Sequence, residues 1–242
     1  MEKSAKQAFD EGESYLDRED FDSAIAAFTE AIRLNPENAA AHFNRGIAFN
    51  EMGEHGKAIA DYDEAIRLNP EDAAGYFDRG IAYSQMGEYD KATTDYDEAI
   101  HLDPNKADAY FFRGFAYGSK GEHDKAIANY DEAIRLAPNT AAAYFRRGFA
   151  YGNKGEHDKA IADYTETIRL GPTKATYYNR GNAYKKKGEL NKAVADFTEA
   201  IRIDPKDAKL YYSRGLAYSQ KGETAKAEAD FAQAKMLGYK VK

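Results

Sequence analysis

The chain has 242 residues, with 41 acidic side chains against 34 basic, a net charge of −7, and neither cysteine nor tryptophan. Without thiols there is no disulfide framework and no thiolate zinc site, and the acidic balance argues against a general nucleic-acid binder. No run of 18 apolar residues is present, so no membrane span is expected.

Residues 1–20 are mixed and charged, unlike a secretory signal, and a cytoplasmic location is the expectation. From about residue 5 the chain repeats itself. Pro36, Pro70, Pro104, Pro138 and Pro172 stand 34 residues apart, and Pro205 follows after 33. Arg-Gly pairs recur at Arg45-Gly46, Arg79-Gly80, Arg113-Gly114, Arg147-Gly148, Arg180-Gly181 and Arg214-Gly215. A fixed period in this range means stacked small units, each packing on its neighbours. Seven units are predicted, at approximately 5–38, 39–72, 73–106, 107–140, 141–173, 174–207 and 208–242, so 1–242 reads as a single array.

Each unit reads as two helices. In the third, residues 73–86 carry apolar side chains at helical spacing until Gly87, and 91–102 repeat the pattern until Asp103-Pro104. No stretch alternates with period two, so strands are not expected. The sixth unit lacks one residue near Thr173–Ala175, where a small irregularity in stacking is predicted.

Let the glycine of each Arg-Gly pair be position 8. That position is then Gly12, Gly46, Gly80, Gly114, Gly148, Gly181 and Gly215. Position 11 is Tyr or Phe throughout, position 20 is Ala throughout, and position 24 is Phe28, Tyr62, Tyr96, Tyr130, Tyr164, Phe197 and Phe231. With this pattern the chain resembles the tetratricopeptide repeat family over nearly its whole length. The small residues let two helices approach closely, and each ring between them buries roughly 150–250 Å². The resemblance implies an all-α fold, a right-handed α-solenoid (superhelix) of seven helix-turn-helix repeats. Thr167 departs from the pattern at position 27.

The outer units differ from the inner ones. Positions 21 and 28 are almost always Ile, but Glu228 and Lys235 in the last unit, as expected of a terminal cap. Position 26 is Glu in six units and Gln233 in the last; position 7 is Arg in six units and Glu11 in the first. That pattern predicts a ladder between neighbouring repeats: Glu30–Arg45, Glu64–Arg79, Glu98–Arg113, Glu132–Arg147, Glu166–Arg180 and Glu199–Arg214. Each exposed pair would contribute only ~0–1 kcal/mol, so its role would be register.

By resemblance, the first helix of each unit lines a concave groove. Its candidate ligand contacts are Phe43, Asn44 and Ile47; Phe77, Asp78 and Ile81; Phe111, Phe112 and Phe115; Phe145, Arg146 and Phe149; and Tyr178, Asn179, Asn182, Lys185 and Tyr212. The rings at position 5 have a competing role in packing between helices, whereas apolar side chains at position 9 point more directly to an interaction site. A carboxylate clamp of the kind some members use is not expected, since no unit has Lys at position 5. Asn44 and Asn179 alone match an asparagine ladder at position 6.

Charge is uneven along the chain. Residues 1–120 hold 12 basic and 25 acidic side chains, net −13; residues 121–242 hold 22 and 16, net +6. Such bipolarity orients a partner, or a second copy. His55, His123 and His157 share position 17, a repeat or more apart, so packing is favoured over metal ligation. No cofactor and no catalytic constellation is expected. The predicted function is a non-catalytic protein–protein interaction scaffold taking a peptide or helix of a partner. The alternatives are head-to-tail self-association into a homo-oligomer and service as a regulatory module of a larger complex.

Overall fold

The computed structural model describes residues 4–240, which form fourteen α-helices and no strand. Two compact units emerge, residues 1–122 and 123–242. The first holds α1 (Ala5–Leu16), α2 (Phe21–Leu34), α3 (Ala39–Glu51), α4 (His55–Leu68), α5 (Ala73–Gln85), α6 (Tyr89–Leu102) and α7 (Ala107–Ser119). The second holds α8 (His123–Leu136), α9 (Ala141–Asn153), α10 (His157–Leu170), α11 (Lys174–Lys186), α12 (Leu190–Ile203), α13 (Ala208–Gln220) and α14 (Thr224–Met236). Fourteen helices make seven helix-turn-helix repeats, an all-α solenoid.

Local chemistry sets the ends. Ser4 caps α1 in a reciprocal box with Gln7, and the side chains of Asp20, Asn38, Asp72, Thr173 and Asp207 cap later helices. The inner turns need a left-handed residue. Glycine supplies it from Gly53 (φ 76°) to Gly222 (φ 78°), but the first repeat uses Glu19 (φ 58°). Before α11 the shortened turn closes through Thr173, whose Oγ1 accepts from the Thr176 amide at 3.2 Å.

In the repeats that lie inside one unit the core is a ring seated on a glycine. A Cβ added to Gly80 would lie 2.7 Å from the Tyr96 ring, and one on Gly12 2.5 Å from Phe28. Tyr96 and Phe28 are fully buried. Thr167 is buried as well, its hydroxyl donating to the Asp163 carbonyl at 2.9 Å.

The predicted ladder is corrected in its acidic partners. Arg79 donates through Nε and Nη2 to Asp95 of its own repeat at 2.9 and 2.7 Å, and through Nη1 to Asp63 of the preceding repeat at 2.6 Å. Arg147 repeats this with Asp163 and Asp131. Arg45, Arg180 and Arg214 hold Asp61, Asp196 and Asp230 in the same two-pronged way, and reach back to Thr29, Thr165 and Thr198. Arg113 reaches back to Asp97. The inter-repeat rungs are thus at position 25, not 26. Adjacent residues on a helix point about 100° apart, so only one of the two faces the following arginine. Glu30, Glu64, Glu132, Glu166 and Glu199 instead hold Arg33, Arg67, Arg135, Arg169 and Arg202, three residues on along the same helix. The pairings Glu30–Arg45, Glu64–Arg79, Glu98–Arg113, Glu132–Arg147, Glu166–Arg180 and Glu199–Arg214 are replaced accordingly. A tyrosine at position 4 backs most of the guanidinium groups, for example Tyr76 at 5.6 Å from Arg79. In the second repeat His42 takes its place and faces Asp61 at 3.5 Å.

Candidate binding surfaces

Curvature follows from which helices meet. In the first unit α1 touches α3, α3 touches α5 and α5 touches α7; in the second, α9 touches α11. The even-numbered helices reach the next repeat through its odd helix. The odd helices therefore form the inner wall within each unit, where the candidate residues stand.

Most position-5 rings are already engaged. Phe43 lies 5.8 Å from Tyr62, Phe77 6.0 Å from Tyr96, Phe145 5.8 Å from Tyr164, and Tyr178 6.0 Å from Phe197, centroid to centroid. All are half-buried, so each ring shows the groove only part of its surface. Ile47 and Ile81 pack against the same ring clusters. Tyr212 is covered twice, by Phe231 at 5.5 Å and by Tyr239, which stacks on it at 4.3 Å. Sequence reasoning missed Tyr239; its only signal was an aromatic following Gly238 at the end of the last predicted helix.

In the first unit Phe112 folds back onto the preceding repeat, 5.6 Å from Phe77 and 6.4 Å from Tyr96, and touches Phe111 edge-on at 5.3 Å. Phe115 and Asn44 are half-buried. Asp78 holds Phe112's position one repeat earlier. Burial pushes its carboxyl up to about 6, against the pull of Lys106 and with a further push from Asp72.

In the second unit Phe149 stands out, with 47% of its surface exposed. It borders a cavity of about 180 Å³ lined with Tyr164, Asn179, Asn182 and Lys186. Asn179 and Asn182 each donate one amide hydrogen to their own helix, to the Ala175 and Tyr178 carbonyls at 2.9 and 3.0 Å. The Asn182 side chain also interacts with the Tyr178 side chain. Arg146 is exposed. Lys185 lies 5.9 Å from the Phe197 ring, and burial lowers its ammonium below the usual lysine range.

Models of the tetratricopeptide repeat match residues 9–73, 54–116, 141–174 and 208–237, and a TPR repeat model matches 117–155 and 181–222. The chain belongs to the tetratricopeptide repeat family. Among solved structures it is 30% identical to the MamA protein, covering 73% of this chain and 97% of that one, with a TM-score of 0.66. It is 26% identical to YrrB, a TPR protein described as having an unusual peptide-binding site, over 81% of this chain and 98% of that one, TM-score 0.67. A tetratricopeptide repeat protein from Parabacteroides merdae shares the fold, with 23% identity, 98% and 94% coverage and a TM-score of 0.73. No curated protein matches the sequence. As a tetratricopeptide repeat protein the chain is of the interaction-scaffold type. No helix among the described residues is long and apolar enough to cross a membrane.

Proposed function

We propose that the chain is a non-catalytic scaffold that binds a peptide or a helix of a partner protein on its odd-helix walls. The observation that carries this is Phe149: a large ring left 47% exposed beside the polar side chains of Asn179 and Asn182, where its position-5 neighbour Phe145 is engaged with Tyr164. Exposed aromatic anchors flanked by polar groups are what partner surfaces use. Similarity to YrrB, whose description includes peptide binding, supports the same reading. The test compares Phe149→Ala with wild type for affinity toward a partner captured by the intact chain, with Phe115→Ala as the equivalent probe in the first unit. Phe149→Ala is expected to weaken binding about tenfold or more, as anchor removal does, with the melting temperature unchanged. Full affinity in both variants would refute the proposal.

The charge split favours a second reading, association of copies through the acidic and basic halves. Light scattering at rising salt tests it: an oligomer that dissociates with salt supports it, and a monomer at all concentrations refutes it.

A further inference from the structure

The chain makes one contact twice with its own lysines. Lys106 Nζ lies 4.6 Å from the centroid of Phe77, and Lys209 Nζ 4.6 Å from that of Tyr178. Both rings occupy position 5, and both lysines come from the start of the next repeat, Lys106 at the cap of α7 and Lys209 in the first turn of α13. At Phe43 the two corresponding places hold Asp72 and Ala74, so neither can supply an ammonium. The ring instead borders a cavity of about 560 Å³ between the starts of α3 and α5.

The rest of the lining completes the chemistry. Glu37 and Asp72 stand at this cavity, with Ala65 and Ile66 as apolar wall. Asp72 uses one oxygen to accept from the Ala74 amide at 2.9 Å. Among the described residues no lysine or arginine forms an ion pair with Glu37, Asp72 or the neighbouring Asp78; the field of Glu37 does reach Arg67. An ammonium over a ring face is attracted by the ring quadrupole, and a four-carbon stem packs along apolar surface with its charge outside. The positive ends of the flanking helices do not forbid it, because Lys106 and Lys209 themselves sit at helix starts.

We propose that this cavity receives a lysine side chain of a partner polypeptide, with Phe43 as its aromatic face and Asp72 as its counter-charge. The inference rests on the scaffold reading and names a ligand chemistry for the first unit.

The experiment titrates the isotope-labelled full chain with Nα-acetyl-lysine N-methylamide, and separately with the norleucine analogue, which has the stem but no charge. Saturable amide shifts at Phe43, Asn69 and Gly75 are expected with the lysine probe only. Asp72→Asn keeps an oxygen to cap α5 and removes the charge; it should weaken the probe about fivefold, the scale of one such contact. Ala74→Lys places a lysine where Lys209 sits, and should fill the cavity from within and abolish probe binding. Equal response to both probes, or undiminished binding in both variants, overturns the inference. If the lysine probe fails while Phe149→Ala still costs partner affinity, this cavity is refuted and the scaffold reading stands.

Discussion

The first repeat and the inner repeats solve the same packing problem with different parts. Both seat a buried ring on a glycine, Phe28 on Gly12 and Tyr96 on Gly80. The inner repeats add the arginine that holds Asp95 and Asp63. The first repeat has Glu11 at the arginine's place and a buried Ala27 at the aspartate's. It also turns through Glu19 where the others use glycine. The ring on glycine is therefore common to both, while the first repeat drops the arginine and its aspartate together and the fourth has Arg113 with Asn129 at the aspartate's place.

The sharpest way to break that comparison is Arg79→Leu, which strands the buried Asp95 carboxylate; a loss of about 3 kcal/mol is expected by calorimetry or denaturant titration. Adding Asp95→Ala, the first repeat's arrangement, should recover a good part of it, and a double variant no better than the single would show the two residues to be uncoupled. Next comes Gly80→Ala, which drives a methyl into the Tyr96 ring and should cost about 2 kcal/mol. Glu19→Gly should make the first repeat like the rest and stabilise the protein by about 1 kcal/mol, since glycine takes positive φ freely.

Asp78 differs from Asp10, its exposed counterpart in the first repeat, by being half-buried. Its carboxyl sits above its ordinary value, at about 6, mainly through burial. The folded state thus holds this proton more tightly than the unfolded chain, and the stabilisation is full below the ordinary carboxylate range and lost as pH rises through about 6. Asp78→Asn should raise the melting temperature at pH 7.5 by a few degrees, about 1 kcal/mol after allowance for solvent, and change nothing near pH 3. The smallest effect is expected for Glu64→Gln, which removes an exposed pair with Arg67 at 2.6 Å; the denaturation midpoint should not move measurably.

The helices and turns were legible because the same glycine, alanine and ring return at a fixed spacing, and packing makes each of them irreplaceable. The arginine partners were legible only in part. Glutamate at position 26 is nearly constant and drew attention, yet it faces Arg67-type neighbours on its own helix. The true acceptors were disguised because position 25 alternates between Asp63, Asp97, Asp131 and Thr29, Thr165, Thr198. Both types accept an N–H, so chemistry is held while identity varies. The informative signal was the alanines at the two ends, Ala27 at position 23 and Ala232 at position 25. On the groove wall, ring-on-ring packing at position 5 was anticipated as a competing role. The coverage of Tyr212 by Tyr239 depends on how the chain leaves α14, which no periodicity encodes.

The turn before α11 is one residue short, yet Arg180 Nη1 meets Thr165 at 3.0 Å across 15 residues, as Arg45 Nη1 meets Thr29 at 3.0 Å across 16. The rung between one hairpin and the next is thus kept when the connecting thread loses a residue. The proline corners are accordingly where this polypeptide should accept inserted residues, or even a nick, with its helices staying in place.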